Sequence, residues 1–99
     1  LGGPSLPTDY ALHQNYPNPF NPSTEISFDV PAASHVTLSV YNVLGQSVTT
    51  LVDREMAAGR YSASWDGTSD SGVKTASGIY FYKLIAGDFT ETKKMVMLK

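Results

Sequence analysis

Apolar and polar residues alternate along most of the chain with a period of two rather than 3.6, the mark of half-buried strands. Ile26, Phe28 and Val30 alternate with Ser27 and Asp29, and Val36, Leu38 and Val40 alternate with Thr37, Ser39 and Tyr41. Residues 48–52 continue as a strand. Tyr61, Ala63 and Trp65 resume the alternation, residues 79–86 and 89–98 follow, and a weaker strand is expected near residues 10–14. Turn signals separate them: Pro31-Ala32-Ala33-Ser34, then Asn42-Val43-Leu44-Gly45 with Gly45 supplying a positive φ, then Ala86-Gly87-Asp88. Residues 53–58 alone have a helical flavour, too short to be stable by itself. Short strands punctuated in this way predict an all-β protein, an antiparallel β-sandwich of about seven strands.

Two strands break the alternation. Ile79-Tyr80-Phe81-Tyr82 is apolar at four consecutive positions, where a strand covered on one face needs only two. Lys83 shares parity with Ile79 and Phe81, so Tyr80, Tyr82 and Leu84 are the expected core set, and Ile79 and Phe81 form an exposed or partner-covered patch. Met95-Val96-Met97-Leu98 repeats the anomaly. A docking surface and ordinary covering by a loop both account for it. Trp65 falls in step with Tyr61 and is expected in the core rather than on a carbohydrate-binding platform.

The strands are preceded by Tyr16-Pro17-Asn18-Pro19-Phe20-Asn21-Pro22-Ser23-Thr24. Its prolines donate no main-chain hydrogen bonds and hold the residues before them extended. Asn18 and Asn21 are turn formers, so the block reads as a stiff, kinked way into the β-domain. Residues 1–10, rich in Gly and Pro at their start, read as linker or appended sequence, and residues 11–99 as the domain. No signal peptide is visible at the N-terminus, and the chain reads as a module cut from something longer.

At 99 residues and 41% apolar composition the chain supports one core, with no cysteine for disulfides or thiolate metal sites. A net charge of −2 argues against nucleic acid, which is held through many Lys and Arg contacts to phosphate. No apolar run is long enough for a membrane-spanning helix, so membrane insertion is not expected. Charge is unevenly placed: residues 1–53 hold no Lys or Arg, and Lys93, Lys94 and Lys99 crowd the last seven positions. That cluster reads either as protection of an edge strand or as a basic tag for a receptor.

Chemistry finds little purchase. His13 and His35 are not in a metal-ligand spacing, and no G-x-S-x-G elbow raises a nucleophile. The expectation is that the protein is not an enzyme, with no cofactor and no resident metal. The loop Asp66-Gly67-Thr68-Ser69-Asp70-Ser71-Gly72 imitates part of an EF-hand, but Ser71 and Ser77 stand where Gly and Glu belong. A turn closed by Asx side chains is the better account, with a weak calcium loop as the alternative.

Several blocks together carry a family resemblance. Leu12-His13-Gln14-Asn15 running into the proline block, Val40-Tyr41-Asn42-Val43-Leu44-Gly45, Ala58-Gly59 with Trp65-Asp66-Gly67, Ala76-Ser77-Gly78-Ile79-Tyr80 and the terminal Lys93-to-Lys99 run appear in order over residues 12–99. In this the chain resembles the type A C-terminal sorting domains of the type IX secretion system, immunoglobulin-like sandwiches of the Bacteroidota. A related fold occurs in the flagellar hook-capping protein. Gln46 departs from the pattern, where a basic residue often follows the glycine.

The resemblance implies delivery rather than catalysis. It implies an N-terminal cargo domain, recognition by the outer-membrane type IX translocon, and release by a cell-surface sortase, with the protein ending at the surface or outside the cell. It assigns translocon recognition to Gly78, Tyr80, Lys94, Met95, Val96, Met97, Leu98 and Lys99. It gives Tyr16, Pro17, Asn18 and Pro19 the shaping of the domain's start. Cleavage is expected in the lead-in before Tyr10. The last strand is also expected to pair by its edge with a receptor strand, or with another copy of the chain. The alternative function is an uncleaved adhesive or carbohydrate-binding accessory module of a secreted enzyme.

Overall fold

The computed structural model describes residues 6–98. Its strands are β1 (Ala11–Leu12), β2 (Thr24–Val30), β3 (Ser34–Tyr41), β4 (Ser47–Met56), β5 (Gly59–Trp65), β6 (Gly78–Ala86) and β7 (Phe89–Met97). They form two antiparallel sheets, one ordered β1-β2-β5 and the other β4-β3-β6-β7. The expected all-β, immunoglobulin-like sandwich is therefore what the chain adopts.

Period-two alternation puts one side of each strand between the sheets. Ile26, Phe28 and Val30 from β2 meet Val36, Leu38 and Val40 from β3 and Tyr82 and Leu84 from β6, all essentially inaccessible to water. Trp65 sits at one end of this core with Phe20 and Tyr80 against its ring, at centroid distances of 5.6 and 5.2 Å. Each fully buried side chain of this size stabilises the fold by about 1.5–3 kcal/mol. Tyr80, Tyr82 and Leu84 face inward and Ile79 outward, as the parity of Lys83 predicts.

The strand expected to end at Val52 is longer, and the helical flavour of residues 53–58 produces no helix. β4 runs on to Met56, pairing Glu55 with His35 and Arg54 with Val36, and Met56 closes the core. Cross-strand pairing outweighs the mild helix preference of Arg and Glu. At the β3–β4 turn Asn42 Oδ1 accepts the main-chain N–H groups of Leu44 (2.9 Å) and Gln46 (3.0 Å), and Gly45 has φ +80°.

Candidate docking surface

The proline block is a clamp rather than a free lead-in. Phe20 is buried, its N–H donates to Val96 O (2.9 Å) and its carbonyl accepts from Leu98 N–H (2.9 Å), while Val96 N–H donates to Asn18 Oδ1 (3.0 Å). Gln14 Nε2 adds a bond to Lys94 O (2.8 Å). Residues 14–20 thus occupy the outer edge of β7 from Lys94 to Leu98. The expected edge pairing of that stretch with a receptor strand is corrected: its main-chain groups are already engaged.

Buried polar groups hold the clamp. Asn15 Nδ2 donates to Thr24 Oγ1 (3.0 Å) and Pro17 O (3.1 Å), and Thr24 Oγ1 donates to the same carbonyl (2.9 Å). Tyr82 Oη accepts from Asn15 N–H (2.9 Å) and donates to His13 O (2.7 Å). Burial pushes the Tyr82 phenol up to about 12, with the Asn15 N–H pulling the other way. Tyr16 itself is exposed and exchanges main-chain bonds with Glu25. Sequence reading missed these roles of Gln14, Asn15, Phe20 and Tyr82, because the bonds to β6 and β7 join residues far apart along the chain.

The remaining recognition residues divide into two groups. Met95 and Met97 are buried core, and Tyr80 is buried with its hydroxyl donating to Ala76 O (2.6 Å). Tyr61 makes the same bond to Ala57 O (2.6 Å), again four residues back. The two segments share the pattern A-x-G-x-Y, a legible signal for a paired tyrosine corner. Gly78, with φ +141°, holds a backbone conformation that L side chains rarely adopt. These residues build the fold, and a partner cannot read the buried ones directly. Lys94, Val96 and Leu98 face outward, Leu98 with 52% of its surface exposed. Lys99 lies outside the described residues.

On the outer face of the larger sheet the register assembles an apolar and basic strip. Ile79 lies beside Val96, and Tyr41, Phe81 and Lys94 form one row across β3, β6 and β7. Lys83 Nζ stands 5.8 Å from the Tyr41 ring centroid, a cation–π distance. A depression of 330 Å³ lies here, lined by Tyr41, Asn42, Val43, Phe81, Lys83 and Thr92. Ile79 is 42% exposed and Val43 64%, so the strip presents apolar surface to solvent.

The loop from Asp66 to Gly72 is closed by its own side chains. Asp66 Oδ1 accepts from Thr68 N–H (3.1 Å) and Oγ1 (2.6 Å), which lowers its pKa below the usual carboxylate value. Asp70 Oδ1 accepts from Thr49 Oγ1 (2.7 Å) and Thr50 N–H (3.3 Å), tying the loop to the edge of β4. Both carboxylates thus serve as turn and edge acceptors. His35 is exposed and sits between Asp53 (2.6 Å) and Glu55 (3.5 Å) across the β3–β4 register. Among the described residues no group of three or more His, Asp or Glu is arranged to hold a metal ion.

Comparison with solved structures finds this fold in larger proteins. Dimeric latent PorU from Porphyromonas gingivalis is similar with a TM-score of 0.71 and 22% identity, over 86% of this chain and 9% of that one. PorZ, an essential surface component of the type IX secretion system of the same organism, gives 0.61 and 12% identity over 91% of this chain and 11% of its own. FlgD from P. aeruginosa gives 0.59 and 27% identity, over 75% of this chain and 58% of that one. The chain therefore spans only a small part of PorU and PorZ. No curated protein matches it in sequence. Residues 15–88, from the buried Asn15 to the turn before β7, match the FlgD Ig-like domain. With that match covering most of a sandwich of the same architecture, the chain belongs to the FlgD Ig-like domain family.

Proposed function

We propose that the chain is a non-catalytic sorting domain that directs an attached cargo through the type IX outer-membrane translocon to the cell surface or the medium. The observation that carries this reading is the outward strip of Ile79, Phe81, Lys94, Val96 and Leu98, set on a fold shared with the type IX component PorZ. The strip lies on β6, β7 and the residue that follows β7, joining the A-S-G-x-Y block to the terminal lysine run. In this reading the translocon contacts side chains of the outer sheet face, and the proline clamp keeps β7 in register beneath them. Cargo precedes the domain, and sortase cleavage falls before Tyr10, which stacks on Phe89 at 5.5 Å and so already belongs to the folded body.

The test is export of a periplasmically targeted fluorescent reporter fused ahead of this chain, in a host with a type IX system. Signal at the surface or in the medium that requires the domain is the expected result. Periplasmic retention, with a native sorting domain exported normally beside it, would reject the reading. Deleting residues 93–99 is a poor comparison, because it removes the buried Met95 and Met97 and damages folding along with any signal.

A further inference from the structure

Three of the four sheet edges carry devices that discourage pairing. β7 is clamped by residues 14–20 and points Glu91 and Lys93 toward the core side of the sheet, 3.3 Å apart. β4 has two irregularities in its pairing with β3 and is capped by Asp70. β1 has only two residues. Bulges, inward charges, covering segments and short strands are the usual protections of an edge. β5 has none of them: it pairs with β2 through seven uninterrupted residues and ends its sheet among the described residues.

We infer that two copies of the chain associate through antiparallel pairing of β5 with the partner's β5, centred on Ser62. His13 N–H bonds Ser27 O, and Tyr16 and Glu25 exchange main-chain bonds, so the odd residues of β2 turn away from β5 and the even ones toward it. The β5 partners of those even residues are Gly59, Tyr61, Ala63 and Trp65. By the alternation of an antiparallel ladder, the main-chain groups of Arg60, Ser62 and Ser64 therefore point out of the sheet edge.

A two-fold axis at Ser62 makes this edge self-complementary in size and charge. Tyr61 then faces the partner's Ala63, and Gly59 faces the partner's Trp65, so each bulky side chain meets a small one. On the outer face the row reads Asp29, Arg60, then the partner's Ser64 and the partner's Glu25. Acid and base thus flank the seam on both sides, and the central row is serine only. Glu25 Oε1 accepts from Ser62 Oγ at 3.2 Å, so the carboxylate reaches across β5 toward the seam. Such an interface is isologous and closes at two copies, giving one sheet ordered β1-β2-β5-β5-β2-β1. It uses a different edge from the self-association expected through the last strand, which residues 14–20 cover from Lys94 to Leu98.

Sedimentation of the 99-residue chain over a concentration series tests the inference. A reversible monomer–dimer equilibrium is expected, and Ser62→Pro, which removes an outward N–H from each copy, should weaken it about tenfold or more. Thr92→Pro on the β7 edge should leave the equilibrium unchanged. Ser62→Glu and Ser62→Lys, which keep the N–H, should each dimerise poorly alone, and mixing them should restore a heterodimer. That pair decides the matter even if the proline variant fails to fold. A chain monomeric up to about 1 mM would overturn the inference. So would a dimer weakened by Thr92→Pro but not by the Ser62 variants, or the absence of rescue on mixing.

Discussion

Tyr82 shows how much one side chain can hold. Its hydroxyl joins β6 to the main chain at His13 and Asn15, and it lies in the middle of the core. Replacing it with Phe leaves a buried N–H and a carbonyl short of a partner, and should lower stability by about 2 kcal/mol in chemical denaturation. The same residue predicts an alkaline limit. The phenol is raised from 10.0 to about 12 in the folded state. Above pH 10 the unfolded chain therefore loses a proton that the folded chain keeps. Stability should fall as pH rises from 10 toward 12, by at most about 1.4 kcal/mol per pH unit from this group. In Tyr82→Phe that component should be missing, which urea titrations of both proteins between pH 9 and 12 would measure. Tyr80 is a gentler case: Tyr80→Phe loses one bond to Ala76 O and should cost about 1 kcal/mol. Gly78→Ala should cost at least as much, because φ +141° is strained for any L side chain.

Among the elements, the clamp on β7 decides what the last strand can do. Asn18→Ala removes the acceptor of the Val96 N–H and should speed hydrogen exchange at that amide, with a stability loss of about 0.5–1 kcal/mol. Unchanged exchange would mean that residues 14–20 do not cover the edge in solution. The faces of the strands were legible in the sequence, since the parity of Lys83 alone sorts Tyr80 and Tyr82 inward from Ile79 outward. The clamp was not, because Asn18 and Val96 are 78 residues apart and parity says nothing about edges. β4 was cut short at Val52 for the opposite reason. Arg54 and Glu55 look helical locally, and only their pairing with Val36 and His35 makes them strand. The A-x-G-x-Y pattern was visible twice, yet its meaning appears only when both hydroxyls are seen to reach back to an alanine carbonyl.

For the whole molecule, the structure separates the residues that make the domain from those that can meet a partner. Gly78, Tyr80, Met95 and Met97 belong to the first group, whereas Ile79, Lys94, Val96 and Leu98 belong to the second. The proposed recognition face needs a rigid platform, and the core around Trp65 with its clamp supplies one. The match to the FlgD Ig-like family covers residues 15–88 and stops short of β7, so the outward strip straddles the end of the matched region. The decisive measurement is export of the reporter fusion carrying Ile79→Ser, Lys94→Glu and Leu98→Ser together, beside Tyr80→Phe, with thermal unfolding of each domain recorded in parallel. The account predicts that the triple variant stays folded but loses export about tenfold or more, while Tyr80→Phe unfolds earlier yet is exported at temperatures where it is folded. A folded triple variant exported as well as the parent chain would contradict recognition through this face.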